Sequence, residues 1–110
     1  MNQNIENACM LHENGETICI DPSLPIFSLI GKRYTMFILG IIGNNNTRKN
    51  FNDIIKSIPG SNRTIIAKRI KELVAAGIVK RCSNKIVSYE LTELGYKIRK
   101  GIICFLEELE

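Results

Sequence analysis

Between Pro59 and Arg81 the chain reads PGSNRTIIAKRIKELVAAGIVKR, and its apolar residues Ile66, Ile70 and Leu73 recur at steps of four and three. That spacing draws one buried stripe along a helix. Asn62 is a good N-cap and Gly77 a favoured residue just past a helix end, so the helix is predicted over 62–76. Upstream, Phe51, Ile54, Ile55 and Ile58 give a second amphipathic helix near Asn50–Ser57, stopped by Pro59-Gly60. Helix, short glycine turn, helix is the helix-turn-helix arrangement.

After Gly77 the apolar period falls from 3.6 to 2. IVKRC and IVSYEL flank a compact polar turn at Ser83-Asn84-Lys85, and they predict a hairpin with Val87, Tyr89 and Leu91 on its buried face. Thr92 then caps a last helix, 92–110, whose stripe is Ile98, Ile102, Phe105, Leu106 and Leu109. On the N-terminal side, Asp21 or Ser23 opens a short helix to about Ile30, and a second helix runs from near Lys32 to Ile42. Residues 1–20 are polar and irregular, predicting a flexible arm before a domain at 21–110. The predicted fold class is mainly α with a small β-hairpin, a winged helix-turn-helix.

Charge sharpens this picture. The chain of 110 residues carries a formal +4, but residues 48–85 hold ten cations against Asp53 and Glu72, a local +8. Both flanks are mildly acidic. A field concentrated on the helix-turn-helix suits a polyanion such as nucleic acid, although a solvated lysine-rich face fits the charge alone. In a helix-turn-helix the second helix enters the major groove with its N-terminal residues against base edges. Asn62, Arg63, Thr64, Ala67, Lys68 and Lys71 share the region presented there. Arg63 suits a guanine, Thr64 or Ala67 a thymine methyl, and Lys68 and Lys71 the phosphates. Arg48 and Lys49 are expected beside the backbone, and Arg81, Asn84 and Lys85 of the hairpin over the flanking minor groove or phosphates. Arg69 borders the buried stripe and is expected to pair with Glu72 or Asp53.

Other chemistries find little in the sequence. It has no glycine-rich phosphate loop, no metal-spaced cluster and no nucleophile beside a histidine, so neither an enzyme nor a cofactor is expected. The four cysteines, Cys9, Cys19, Cys82 and Cys104, form no C-x-x-C pair. Cys82 and Cys104 fall in apolar patterns and read as small core residues; Cys9 and Cys19 lie in the arm, where a redox role is open. No apolar run is long enough for a membrane span and no signal peptide is evident, so a cytoplasmic protein is expected. Leu24, Phe27 and Ile30 add to the last helix's stripe more apolar surface than a small core needs, which predicts a homodimer.

The pieces IGKRYTMFIL, FNDIIKSIPG, AKRIKELVAAGIVKR and VSYELTELG, in this order between Ile30 and Gly95, resemble the HxlR-type branch of winged-helix transcription regulators, relatives of the MarR group. The resemblance implies a dimer on operator DNA, with N- and C-terminal helices in the subunit contact, recognition helix Asn62–Ala76 and wing Arg81–Ile86. Lys32 and Tyr34 stand where the family usually has Gly and Trp, and Asn50 where it often has Arg. Asp21, not a cysteine, precedes Pro22, so a thiol switch at Cys19 is not inherited by position. The expectation is a homodimeric, sequence-specific regulator on a palindromic duplex, its effector unnamed. A winged-helix module for an acidic protein partner and a cysteine-based redox sensor are the alternatives.

Overall fold

The computed structural model describes residues 10–110. It opens with an antiparallel hairpin, β1 (Met10–Glu13) and β2 (Glu16–Cys19), registered Met10 to Cys19 and Leu11 to Ile18. Asn14 and Gly15 at its tip take φ of 52° and 80°, the positive pair that a two-residue I′ turn demands. A hairpin thus replaces the irregular arm expected over these residues; residues 1–9 lie outside the described part.

Asp21 caps a turn rather than a helix. Its Oδ1 accepts from the Ser23 amide (3.0 Å) and hydroxyl (2.6 Å), bonds that hold its carboxyl below the usual range. Helix α1 is a single turn, Ile26–Leu29, shorter than expected. Helix α2 begins at Thr35, not near Lys32, because Tyr34 sits at φ 72°, a left-handed residue that no helix continues through. The buried Thr35 hydroxyl donates to the Leu29 carbonyl at 2.7 Å and ties α1 to α2 (Thr35–Ile42).

Asn50 and Asp53 form a reciprocal capping box that starts α3 (Phe51–Ser57). Gly60, at φ 65°, supplies the turn to α4 (Arg63–Ala75), capped by the Asn62 side chain on the Ile65 amide at 3.0 Å. Strands β3 (Val79–Ser83) and β4 (Val87–Leu91) form the wing, Val79 facing Leu91 and Ser83 facing Val87. The main chain of Lys49 bridges to Tyr89, joining the wing to the residues just before α3.

Thr92 begins α5 (Glu93–Glu108); its hydroxyl caps the Gly95 amide and reaches back to the Gly77 and Ile78 carbonyls. Gly95 packs against the residue just before β3 and against Leu91 of β4, where a methyl would lie 2.2 Å from the Ile78 carbonyl oxygen. The core is Ile38, Leu39 and Ile42 of α2, Ile54 of α3, Ile66, Ile70 and Leu73 of α4, with Ile78, Val79, Leu91 and Ile102 closing it. Ile66 and Leu73 are fully buried, so burial of its apolar underside fixes which side of α4 faces out.

Candidate nucleic-acid interface

The stripe that anchors α4 leaves Arg63, Thr64, Ala67, Lys68 and Lys71 exposed along it. Arg63 is oriented before any ligand arrives: its guanidinium lies 5.1 Å from the Phe51 ring centre and donates to Asn52 Oδ1 at 3.3 Å. Lys68 and Lys71 make no ion pair among the described residues. Asn62 is engaged in capping the helix, which leaves its side-chain oxygen occupied. Arg69 behaves as the sequence suggested. It is 8% exposed, pairs with Glu72 rather than Asp53, and donates through Nε to the Arg33 carbonyl at 3.0 Å. Glu72 also meets Lys32 Nζ at 3.1 Å; that bond, with the Arg69 contact, holds its carboxyl below the usual range.

The wing supplies a second group of cations. Arg81, Asn84 and Lys85 are exposed, Arg81 steadied by the Ser83 hydroxyl. Asn84 and Lys85 share a cleft with Arg48, Asn50 and Asp53, so the wing tip and the start of α3 face common solvent. Two basic candidates are less free than expected. Arg48 pairs with Glu90 at 3.4 Å, and Lys80 approaches the same carboxylate at 3.9 Å. The Lys49 ammonium is tied to the carbonyls of Asn44 (2.7 Å) and Thr47 (2.8 Å) and the Thr47 hydroxyl (2.7 Å), and so clamps the loop. A cleft that no sequence pattern announces lies between α4 and the wing, where Phe51, Val74 and Tyr89 meet Lys68, Lys71 and Arg81 around roughly 610 Å³.

The stripe on α5 divides. Ile102 is 7% exposed inside the core, so it faces its own subunit, not a partner as expected, and the half-buried Ile98 packs against that core. Phe105, Leu106 and Leu109 run on past the core, exposed, and so are Leu24 and Phe27. Phe37 of α2, 63% exposed, borders a groove with Ile103 and Leu106. Cys82 is buried as expected, whereas Cys104 is exposed because it faces away from the α5 stripe; Cys19 is exposed, and Cys9 lies outside the described residues. Among the described residues no helix is long and apolar enough to cross a membrane.

A basic helix held outward beside a two-stranded wing is the arrangement of a winged helix-turn-helix. Residues 29–109 match the sequence model of the HxlR-like helix-turn-helix family. The chain belongs to that family. Its fold is that of a winged helix-turn-helix transcription regulator. A possible HxlR family transcriptional factor from Thermoplasma volcanium GSS1 is 46% identical over 91% of this chain and 92% of its own, with a TM-score of 0.82. The transcriptional regulator YodB from B. subtilis, in its reduced form, is 30% identical over 74% of this chain and 82% of its own, with a TM-score of 0.65. A regulator assigned to the MarR family, from Porphyromonas gingivalis W83, shares the fold at 22% identity, 82% and 93% coverage and a TM-score of 0.67. None of the curated proteins matches the chain.

Proposed function

We propose that this HxlR-like protein is a homodimeric, sequence-specific double-stranded-DNA-binding regulator of transcription. Helix α4 enters the major groove, and the wing lies over the flanking minor groove or backbone. The observation that carries the reading is the outward face of α4: among the described residues its cations are free of carboxylates, while Arg69 is turned inward and neutralised by Glu72. Arg63, Thr64 and Ala67 are the base readers; Lys68, Lys71, Arg81 and Lys85 hold phosphates. Arg48 is a weaker phosphate contact, since Glu90 must release it first.

Dimerisation completes the reading. Leu24 and Phe27 around α1 and Phe105, Leu106 and Leu109 at the end of α5 are exposed apolar side chains, and burying them against a second copy recovers about 25 cal/mol per Å². A two-fold pair of α4 helices calls for half-sites about one helical turn, 34–36 Å, apart. Selection of bound duplexes from a random pool tests this directly. A palindromic consensus is expected; a pool that does not enrich at low salt would favour a module for an acidic protein partner.

A second reading has its own observation. Cys19 is exposed at the end of β2, and YodB has also been solved diamide-treated, at 30% identity. If thiol oxidation regulates this chain through Cys19, oxidant changes the mobility of the DNA complex, and Cys19→Ser removes that change. The same response in the variant sinks this second reading.

A further inference from the structure

The hairpin of β1 and β2 stands without cover. Every residue of its two strands is exposed except the half-buried Met10, and a two-stranded hairpin alone is marginally stable in water. Side chains alternate between its faces and cross-strand partners share one, so Leu11, opposite Ile18, lies beside Glu13, opposite Glu16. That face therefore carries an apolar pair, 51% and 53% exposed, and an acidic pair about 7 Å nearer the tip. Two carboxylates directly opposite one another repel, and a cation between them relieves the cost. A surface of the converse make-up lies between α2 and α5. It is an apolar groove of roughly 370 Å³ lined by Met36, Phe37, Ile41, Ile103 and Leu106, with Arg99 as its one charged group among the described residues. The Arg99 guanidinium donates to the Gly40 carbonyl at 3.0 Å and to Asn44 Oδ1 at 2.7 Å, and meets no carboxylate among the described residues.

We infer that the N-terminal hairpin of one subunit docks in the α2–α5 groove of a second copy, with Leu11 and Ile18 on Phe37, Ile103 and Leu106, and Glu13 and Glu16 against Arg99. Hairpin and groove are both uncovered within one chain, so the occupant comes from another. Continuity points the same way. Shortly after Ile18 the chain reaches Leu24 and Phe27, exposed in the proposed subunit contact, and the groove joins that contact through Leu106. The hairpin lies ahead of the segment that places the chain in its family, so the clasp is an addition to the helix-turn-helix and not a part of it. The docking rests on the proposed homodimer and gives it a second, reciprocal contact: in a two-fold pair each copy both offers a hairpin and receives one. None of these residues belongs to the proposed DNA face.

The test uses the full chain with p-benzoylphenylalanine in place of Leu11, unlabelled and heavy-isotope copies being refolded together before illumination. Cross-linked peptides that join a light hairpin to a heavy α2 or α5 segment are expected. Links within one isotope only, or to other segments, overturn the docking. Sedimentation gives an independent measure. Leu11→Ala/Ile18→Ala should raise the dimer Kd at least about tenfold, because the change withdraws two aliphatic side chains from each of two grooves. Glu13→Lys/Glu16→Lys should raise it by a similar factor, and by much less in an Arg99→Met background, where the repulsion is gone. The hairpin positions are exposed, so both hairpin variants should keep the parent circular dichroism. An unchanged Kd in both, in a chain that does dimerise, overturns the docking and leaves the homodimer standing. A lysine penalty that a folded Arg99→Met leaves whole overturns the match of acid pair to Arg99. A parent chain that stays monomeric fails the homodimer reading, and the docking with it.

Discussion

Removing Lys68 and Lys71 together separates charge that faces a ligand from charge that holds the fold. Neither ammonium makes a hydrogen bond or ion pair among the described residues, and both are exposed on α4. The double variant Lys68→Ala/Lys71→Ala should therefore unfold within about 0.5 kcal/mol of the parent chain. DNA binding should change far more. Each phosphate neutralised contributes about 0.9 to the slope of log K against log salt, so two lysines in each of two subunits make the slope shallower by about 3.6. The same relation gives a loss of roughly three to four orders of magnitude near about 0.1 M salt, shrinking toward nothing near about 1 M. Fluorescence anisotropy with a selected duplex across a salt series measures both quantities. An unchanged slope, or a loss that persists at high salt, would refute the phosphate assignment. Arg69→Ala should behave in the opposite way. It leaves the Arg33 carbonyl and the Glu72 carboxylate without their buried partner, and should cost about 1–3 kcal/mol of stability with no change of slope attributable to a lost phosphate.

Other sites give independent checks. Gly95→Ala places a methyl 2.2 Å from the Ile78 carbonyl oxygen, a backbone atom that cannot turn aside, and should lower stability by about 1–3 kcal/mol or more in a denaturant titration. Glu72 has a folded pKa below its ordinary value of 4.5, so its stabilisation is complete above that value and lost as pH falls through the folded one. The difference in Tm between the parent chain and Glu72→Gln should accordingly be largest near neutral pH and vanish in strong acid. Phe105→Asp/Leu109→Asp changes side chains that are 53% and 68% exposed; sedimentation should show monomers with unaltered circular dichroism. Variants that remain dimeric would move the subunit contact elsewhere.

The helix-turn-helix and the wing were legible because their signals are local. The steps between Ile66, Ile70 and Leu73, the Pro59-Gly60 turn and the caps at Asn62 and Thr92 each act within a few residues. What escaped depends on contacts far apart in sequence. The left-handed Tyr34 that delays α2 packs toward Gly60, and Lys49 is clamped by a loop and paired with a strand forty residues away. Ile98 and Ile102 share one periodic stripe with Phe105 and Leu109, and no pattern says where along α5 the core ends. The hairpin at Met10–Cys19 is a different case. Asn14-Gly15 is a strong local turn signal, obscured by flanking strands that are almost wholly exposed and so lack an apolar face. At the candidate site, the outward cations followed from periodicity. The cleft did not, because Phe51, Val74 and Tyr89 come from three elements.

The measurement closest to the central claim is cross-linking from the face of α4 itself. With p-azidophenylalanine in place of Ala67, illumination of the chain on its selected duplex should join the protein to bases within a half-site. The same group in place of Phe37, on the exposed side of α2, should leave the DNA unlabelled. Labelling from position 37 and none from position 67 would contradict the account.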